Sequence, residues 1–179
     1  MRAVTIHSEH PFLPPEHERS PVRRLRGRLT AGVTLWTARP SEHGQRPAGL
    51  TVSSMLVADG DPGRVLALLD PDSDLWAAAR GSGTAAVSWL TYDDRRLADA
   101  FAGVAPALGG PFKLADWKDT SWGPVLGTAA TWAGVRLEPD RVREVGWAVL
   151  AEGVLEHIEL GEEQAPPLVH RRGRYQRLD

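Results

Sequence analysis

The sequence predicts an all-β barrel with a few short helices, and three features of the 179-residue chain support this fold class. Short apolar runs rich in β-branched residues recur along the chain, separated by clusters of Gly, Pro and Asp. The segments with helical periodicity are few and short. The stretch from Pro106 to Pro124 has the composition of a long ordered loop. Many short strands, long loops and few helices are typical of a β-barrel, and the length fits one domain.

Charge and cysteine content limit the class of protein. The chain has 21 Lys plus Arg and 23 Asp plus Glu, a formal charge of −2, which gives no electrostatic argument for nucleic acid or an anionic membrane. Two basic clusters, Arg23 to Arg28 and Arg171 to Arg177, are interpreted as a solvated helix face and a solvated tail. The absence of cysteine excludes a disulfide framework and a thiol nucleophile. No apolar run is long enough for a membrane span or signal peptide, so we expect a cytoplasmic protein.

The N-terminus is predicted to be an arm, residues 1–20, ahead of a single domain at residues 21–179. His7, His10 and His17 lie in this arm among several prolines. Their spacing matches no motif that places metal ligands on one helix face, so no metal site is predicted. Ser20 and Pro21 then form a typical helix start, which predicts a short amphipathic helix ending by Gly32.

The central part of the chain predicts strands with two helices between them. Leu50 to Ala58 and Val65 to Leu69 are apolar runs joined by a Gly-, Pro- and Asp-rich turn. The first run is unusual because it and the preceding glycine provide a small residue and three hydroxyls, which can present hydrogen-bonding groups on one face. The other predicted elements here are a strand at 33–38, a helix at 72–80, a strand at 84–90 and a helix at 93–103.

The C-terminal part predicts a loop followed by strands. Phe112, Trp117 and Trp122 are the expected anchors of the loop between residues 106 and 124, which is a candidate functional loop because of its length. Residues 128–138 and 142–155 predict two long strands linked by a turn at Pro139 and Asp140. One more strand and a tail complete the chain.

The order of these motifs resembles the flavin reductase-like family of FMN-binding split barrels, from about Val22 to Leu178. The similarity lies in the shared order and spacing of several motifs rather than in one specific signature. They are Gly32 to Thr37 (GVTLWT), Gly49 to Leu69 (GLTVSSMLVADGDPGRVLALL), Leu97 to Ala102, Phe112 with Trp117 and Gly123 to Leu126, and Pro167 to Tyr175.

The resemblance implies an FMN-binding split β-barrel, a homodimer with two FMN sites, and reduction of the flavin by NAD(P)H. FMN needs hydroxyls and backbone N–H groups around its phosphate and ribityl chain. The residues implied as flavin contacts are Gly49, Leu50, Thr51, Val52, Ser53 and Ser54, with Ser73 at the phosphate and Tyr175 from the closing motif. No catalytic residue is identified, and the sequence specifies neither the electron acceptor nor a partner monooxygenase.

The chain also departs from the family pattern. Many members carry Gly-Asp-His in the C-terminal strand pair, where this chain has Gly146, Trp147 and Ala148. Trp147 is expected either to fill the slot of the nicotinamide or to point into the core. Acidic residues surround Ser73, so Arg46, Arg80 or Arg174 would have to compensate them if a phosphate binds. The alternative to a reductase is a dimeric split barrel that holds FMN without turnover or has lost the flavin.

Overall fold

The computed structural model describes residues 20–42, 44–162 and 165–178 of the chain. The predicted N-terminal arm and its three histidines lie outside the described residues, apart from Ser20. Within these ranges the chain forms thirteen β-strands and three α-helices. The fold is mostly β with short helices, which confirms the predicted class.

The elements follow one another with short connections. The helices are α1 (Pro21–Arg26), α2 (Asp74–Ser82) and α3 (Arg95–Phe101). The strands are β1 (Ala31–Gly32), β2 (Thr34–Ala38), β3 (Ala48–Val52), β4 (Met55–Ala58), β5 (Arg64–Leu69), β6 (Thr84–Trp89), β7 (Trp117–Asp119), β8 (Pro124–Leu126), β9 (Thr131–Leu137), β10 (Arg143–Val145), β11 (Ala148–Leu160), β12 (Leu168–Arg171) and β13 (Arg174–Arg177).

The main sheet is antiparallel and curls into a barrel. Its strand order is β3-β2-β6-β9-β11-β5-β4, with β10 beside β11. The two strands at the ends of this order, β3 and β4, are consecutive in the chain and are joined only by Ser53 and Ser54. Because so short a connection keeps its flanking strands close, the two ends of the sheet must approach each other. This geometry confirms the predicted barrel.

Two smaller β structures complete the fold. β1, β12 and β13 form a three-stranded sheet, and β7 pairs with β8 in a hairpin. α2 packs against β2 and β3, whereas α3 packs against β3. Strand β3 therefore lies beside both longer helices at an edge of the main sheet.

The core is centred on Trp36 of β2. Its side chain is 1% exposed and belongs to a cluster that includes Val65 and Leu75. The register places Trp36 opposite Leu50 of β3 and Val87 of β6, so one large ring packs beside both neighbouring strands. The indole Nε1 is buried and has no hydrogen-bond partner among the described residues.

Helix α2 begins and ends two residues later than the predicted range of 72–80. The Ser73 hydroxyl accepts a hydrogen bond from the Trp76 N–H at 3.2 Å, which caps the first turn. Gly83 ends the helix with φ of 76°, a left-handed conformation that favours glycine. The predicted helix at 72–80 is confirmed with a shift of about one half-turn.

Two strand predictions were wrong in extent. The run from Leu50 to Ala58 does not form one strand, because the chain passes from one end of the sheet order to the other at Ser53 and Ser54. The run at 142–155 is also broken, since a turn at Gly146 and Trp147 separates β10 from β11. Gly146 has φ of 61°, a conformation that suits glycine in this tight hairpin. Apolar periodicity alone could not locate either break.

Three other boundaries differ from the prediction. Helix α1 ends at Arg26, because Gly27 follows as its C-cap, and not at Gly32, which lies in β1. The stretch between residues 106 and 124 contains β7 and reaches β8, although its anchors Phe112 and Trp117 do pack against the core. The predicted final strand and tail form the β12–β13 hairpin.

Candidate functional site

A groove of about 890 Å³ runs beside edge strand β3. Its walls are the loop at residues 40–47, the exposed side of α2 and the turn at residues 109–113. Ala48 and Gly49 of β3 form part of its lining. A volume of this size is in the range of pockets that bind cofactors and drug-sized molecules.

The turn at residues 109–113 depends on glycine. Gly109 and Gly110 have φ values of 78° and 98°, which side chains other than glycine rarely adopt. A Cβ on Gly109 would also lie 2.9 Å from Nζ of Lys113, so glycine leaves room for the lysine side chain. Pro111 begins a short 3₁₀ turn that directs Phe112 and Lys113 to the groove. The Gly-Gly-Pro sequence thus shapes one wall.

An aromatic cluster fixes the position of β3 behind the groove. A Cβ on Gly49 would lie 2.6 Å from Cε1 of Phe101. The Phe101 ring on α3 therefore occupies the space that a side chain at residue 49 would need. Phe101 contacts Phe112 and Trp117 edge-on, with ring centroids 4.9 and 5.7 Å away. The Trp117 Nε1–H donates to the carbonyl of Phe112 at 2.8 Å. These contacts link the 109–113 turn to α3 and β3.

The groove carries both signs of charge. Arg46 and Lys113 are its basic residues, and Glu42 and Asp74 are its acidic ones. The Glu42 carboxylate accepts a hydrogen bond from the Gln45 amide at 2.6 Å. Neither Arg46 nor Lys113 forms an ion pair with any residue in the described ranges. Two cations are therefore available to an anionic ligand.

The structure brings only part of the predicted site to this groove. Gly49 lines it, and Ser73 immediately precedes Asp74, which lines it as well. Leu50 packs against the core cluster around Trp36, and Val52 is 3% exposed. The backbone of these two residues, rather than their side chains, remains the predicted flavin contact.

Three predicted hydroxyls already donate to backbone carbonyls. Thr51 Oγ1 donates to Ala98 at 2.7 Å, Ser54 Oγ to Leu68 at 2.8 Å, and Ser73 Oγ to Asp70 at 2.7 Å. A hydroxyl has a single hydrogen to donate, whereas a phosphate has only acceptor oxygens at neutral pH. Ser53 is exposed where the chain leaves β3. The phosphate role inferred for Ser73 stays a prediction.

Tyr175 lies in β13 and is not one of the residues that line the groove. Its ring is half-buried against α3 and meets His170 edge-on at 5.9 Å. Burial, together with the nearby charge of Asp99 and a hydrogen bond to it, raises the pKa of Tyr175 above its ordinary value. The observed contacts connect the small sheet to α3, and a flavin contact of Tyr175 stays a prediction.

The raised pKa of Tyr175 predicts loss of stability at alkaline pH. The neutral phenol is favoured in the folded state, so its contribution is complete below the ordinary pKa of 10.0 and is lost as the pH rises above that value. We expect the free energy of unfolding to fall more steeply between pH 9 and pH 11 in the wild type than in Tyr175→Phe. Denaturant unfolding across this range measures it, and parallel curves for the two proteins would contradict it.

Trp147 is at the tip of the β10–β11 hairpin. Its side chain is 97% exposed, so the expectation that it points into the core was wrong. The two-residue turn with Gly146 directs the indole outward from the sheet. A contact between Trp147 and a nicotinamide stays a prediction.

Other kinds of site receive no support from the part of the chain that the structure describes. It contains no cluster of three or more His, Asp or Glu residues arranged to hold a metal ion. None of its helices has the length and apolar character needed to cross a membrane. The groove-lining residues that the sequence did not single out are Lys113 and the glycine pair before it. Gly-Gly-Pro in a predicted functional loop was the signal that could have found them.

Comparison with known proteins gives a family match along most of the chain. The family described as flavin reductase like domain matches residues 26–179. No curated protein matches the chain at a significant level.

Solved structures share the fold. The flavin reductase PheA2 is 22% identical, with a TM-score of 0.75 over 88% of this chain and 96% of its own. The NADH:FAD oxidoreductase SgcE6 of Streptomyces globisporus C-1027 is 24% identical, with a TM-score of 0.76 over 93% of this chain and 96% of its own. BorF, the flavin reductase component of a bacterial two-component tryptophan halogenase, is 22% identical, with a TM-score of 0.73 over 88% of this chain and 96% of its own.

Proposed function

We propose, from the premise that the chain belongs to the flavin reductase-like domain family, that it is an oxidoreductase in which NAD(P)H reduces a flavin. The observation that carries this proposal is the family match over residues 26–179, which covers the whole barrel and its groove. SgcE6, whose fold this chain shares, was solved in complex with NAD and FAD fragments. We take FMN as the flavin and a cytoplasmic homodimer as the working form.

The groove beside β3 fits the requirements of a flavin. Its volume of about 890 Å³ is sufficient for a cofactor of this class. The lining combines apolar surfaces from Ala77, Ala78 and Phe112 with the cations Arg46 and Lys113. Apolar surfaces suit an aromatic ring system, and cations suit a phosphate. We therefore propose this groove, together with the adjoining backbone of residues 49–54, as the flavin site.

A bound flavin supplies the hydride-accepting ring system, and the protein has to bind and orient it. Hydride transfer between stacked rings requires correct positioning more than it requires an acid or a base. Gly49 supports the positioning of the flavin. Phe101 covers the place where a side chain of residue 49 would lie and so holds β3 close to α3. The aromatic cluster then keeps the groove wall in place. The family histidine is replaced at Ala148, which weakens the case for hydride transfer without excluding it, because stacking of the two rings is the main requirement.

Arg46 and Lys113 are proposed to hold the phosphate. The predicted hydroxyl ligands Thr51, Ser54 and Ser73 donate to backbone carbonyls, whereas both cations lack an ion-pair partner in the described part of the chain. Guanidinium and ammonium groups form strong charge-assisted hydrogen bonds with phosphate oxygens. The opposing Asp74 limits how close the phosphate can approach the start of α2.

Titration with FMN, FAD and riboflavin tests the binding step. We expect FMN to bind about tenfold or more tightly than riboflavin, because only FMN has the phosphate that the two cations can pair with. In the double variant Arg46→Gln/Lys113→Gln this preference should disappear, while riboflavin binding stays unchanged. Quenching of flavin fluorescence gives the dissociation constants.

The variant Arg80→Gln provides the matched control. Arg80 is exposed on α2 and does not line the groove, so its loss should leave the FMN preference intact. Equal affinity for FMN and riboflavin in the wild type would reject the assigned cations but retain a flavin site. Failure to bind any of the three flavins would reject the proposed function.

A further inference from the structure

Two basic segments that are far apart in the sequence meet in the fold. The Arg172 N–H at the β12–β13 turn donates to the carbonyl of Gly27, the C-cap of α1, at 2.6 Å. A Cβ on Gly27 would lie 3.7 Å from the Cα of Arg172, so the two backbones are in close contact. The C-terminal end of α1 therefore lies beside the β12–β13 turn, and the two basic clusters that were interpreted separately are neighbours on the surface.

This surface carries unpaired positive charge. Six arginines on it are exposed and form no ion pair with another residue of the described ranges. We call them the arginine patch: Arg23, Arg24, Arg26, Arg28, Arg171 and Arg172. The formal charge of the whole chain is −2, so the residues outside these six arginines carry a net formal charge of −8.

Arg172 occupies a backbone conformation that disfavours arginine. Its φ is 53°, and the next residue, Gly173, has φ of 78°. Two left-handed residues in succession define the hairpin turn in which Asn-Gly is preferred, and a long side chain at the first position costs stability. Strain that persists at an exposed position points to a role for the side chain.

Exposed aliphatic side chains accompany the arginines. Val22 is 76% exposed, and Leu25 and Leu29 are each 68% exposed. Arginine with apolar residues is typical of the centre of protein–protein interfaces. Nucleic acid is less well matched, because these residues include no aromatic side chain on which an unpaired base could stack, and the phosphates of a duplex would leave the aliphatic side chains uncovered. Helix α1 has six residues, which is too short to bury an apolar face in a membrane surface.

We propose that the arginine patch is a docking surface for an acidic partner protein, whose contact surface combines carboxylates with aliphatic side chains. Carboxylates pair with guanidinium groups in a bidentate geometry, and aliphatic side chains would cover Val22, Leu25 and Leu29. This replaces the interpretation of the two clusters as a solvated helix face and a solvated tail. The inference does not depend on flavin binding, because the patch and the groove share no lining residue.

Four labelled probes test the proposal with the full-length protein. They are an acidic peptide built from Glu and Leu pairs, an all-Glu peptide of the same length, a DNA duplex, and vesicles containing phosphatidylglycerol. We expect the Glu–Leu peptide to bind most tightly, and Leu25→Ser to remove its advantage over the all-Glu peptide. Fluorescence anisotropy for the peptides and DNA, and sedimentation for the vesicles, measure binding.

Charge-matched variants identify the surface. Arg24→Gln/Arg26→Gln should weaken binding of the Glu–Leu peptide by about fivefold to tenfold, whereas Arg80→Gln/Arg143→Gln should leave it unchanged. Arg172→Asn should weaken binding of the Glu–Leu peptide. It should also raise the free energy of unfolding, since asparagine suits the turn. Tightest binding of DNA or vesicles, an equal loss in the control pair, or no binding of any probe would each overturn the proposal. Flavin titration of the same variants remains an independent measurement.

Discussion

Trp36→Ala is expected to lower the free energy of unfolding by about 3–5 kcal/mol. The side chain is 1% exposed and packs between β3 and β6. Alanine would leave a cavity that surrounding residues of three hydrogen-bonded strands cannot fill. Because Trp36 lies opposite Leu50, the loss should also displace β3 and weaken flavin binding. Denaturant unfolding and flavin titration measure the two effects.

Trp147→Ala is the matched control for this substitution. It removes the same side chain from a position that is 97% exposed, so we expect a change in stability of no more than about 0.5 kcal/mol. Trp36→Phe should lie between the two, because it retains an aromatic ring and also removes the buried Nε1–H that has no partner in the described ranges. Equal losses for Trp36→Ala and Trp147→Ala would show that the core has been wrongly located.

Gly49→Ala is expected to cost about 1–3 kcal/mol of stability and to reduce flavin affinity. The added Cβ would lie 2.6 and 2.8 Å from two ring carbons of Phe101, closer than real contacts allow. Phe101 cannot move freely, since it packs edge-on against Phe112 and Trp117. The strain therefore passes to the groove wall at residues 109–113.

Gly32→Ala is the control for the glycine substitution. A Cβ at Gly32 meets no atom within 4 Å, and this residue is exposed in β1. We expect unchanged or slightly higher stability, because alanine restricts the unfolded chain. Thermal unfolding of the two variants side by side makes the comparison. Wild-type stability and affinity in Gly49→Ala would contradict the close packing of Phe101 on β3.

The sequence predicted the strands of this barrel better than their ends. β-branched residues placed Thr34–Ala38 and Thr84–Trp89, and the helical pattern at 72–80 placed α2 to within two residues, since these signals are local. The break after Val52 had no such signal. Before the break β3 pairs with β2, and after it β4 pairs with β5 at the other end of the strand order. Tertiary pairing therefore overrode an apolar run that looked continuous.

The candidate site was predicted in part for a similar reason. Hydroxyls and glycine at 49–54 indicated a place for a cofactor, and Gly49 does line the groove. The sequence could not show that Thr51, Ser54 and Ser73 donate to backbone carbonyls, because the acceptors lie on other turns and elements. Lys113 was missed since its place in the same groove as Arg46 depends on the long-range packing of the 109–113 turn.

The union of the two basic clusters could not be predicted at all. Nothing local links Gly27 to Arg172, and their hydrogen bond forms only because β12 pairs with β1, directly after α1. The net charge sums over the whole chain, so a local group of arginines leaves no trace in a near-neutral total.

Anaerobic mixing of the FMN-loaded protein with NADH and, separately, with NADPH measures hydride transfer to the flavin itself. A flavin reductase should transfer a hydride to its flavin, so we predict that the visible absorbance of oxidised FMN bleaches with at least one of the two nucleotides and returns when air is admitted. FMN that stays bound and oxidised in the presence of both nucleotides would contradict the account and leave a protein that holds flavin without turnover.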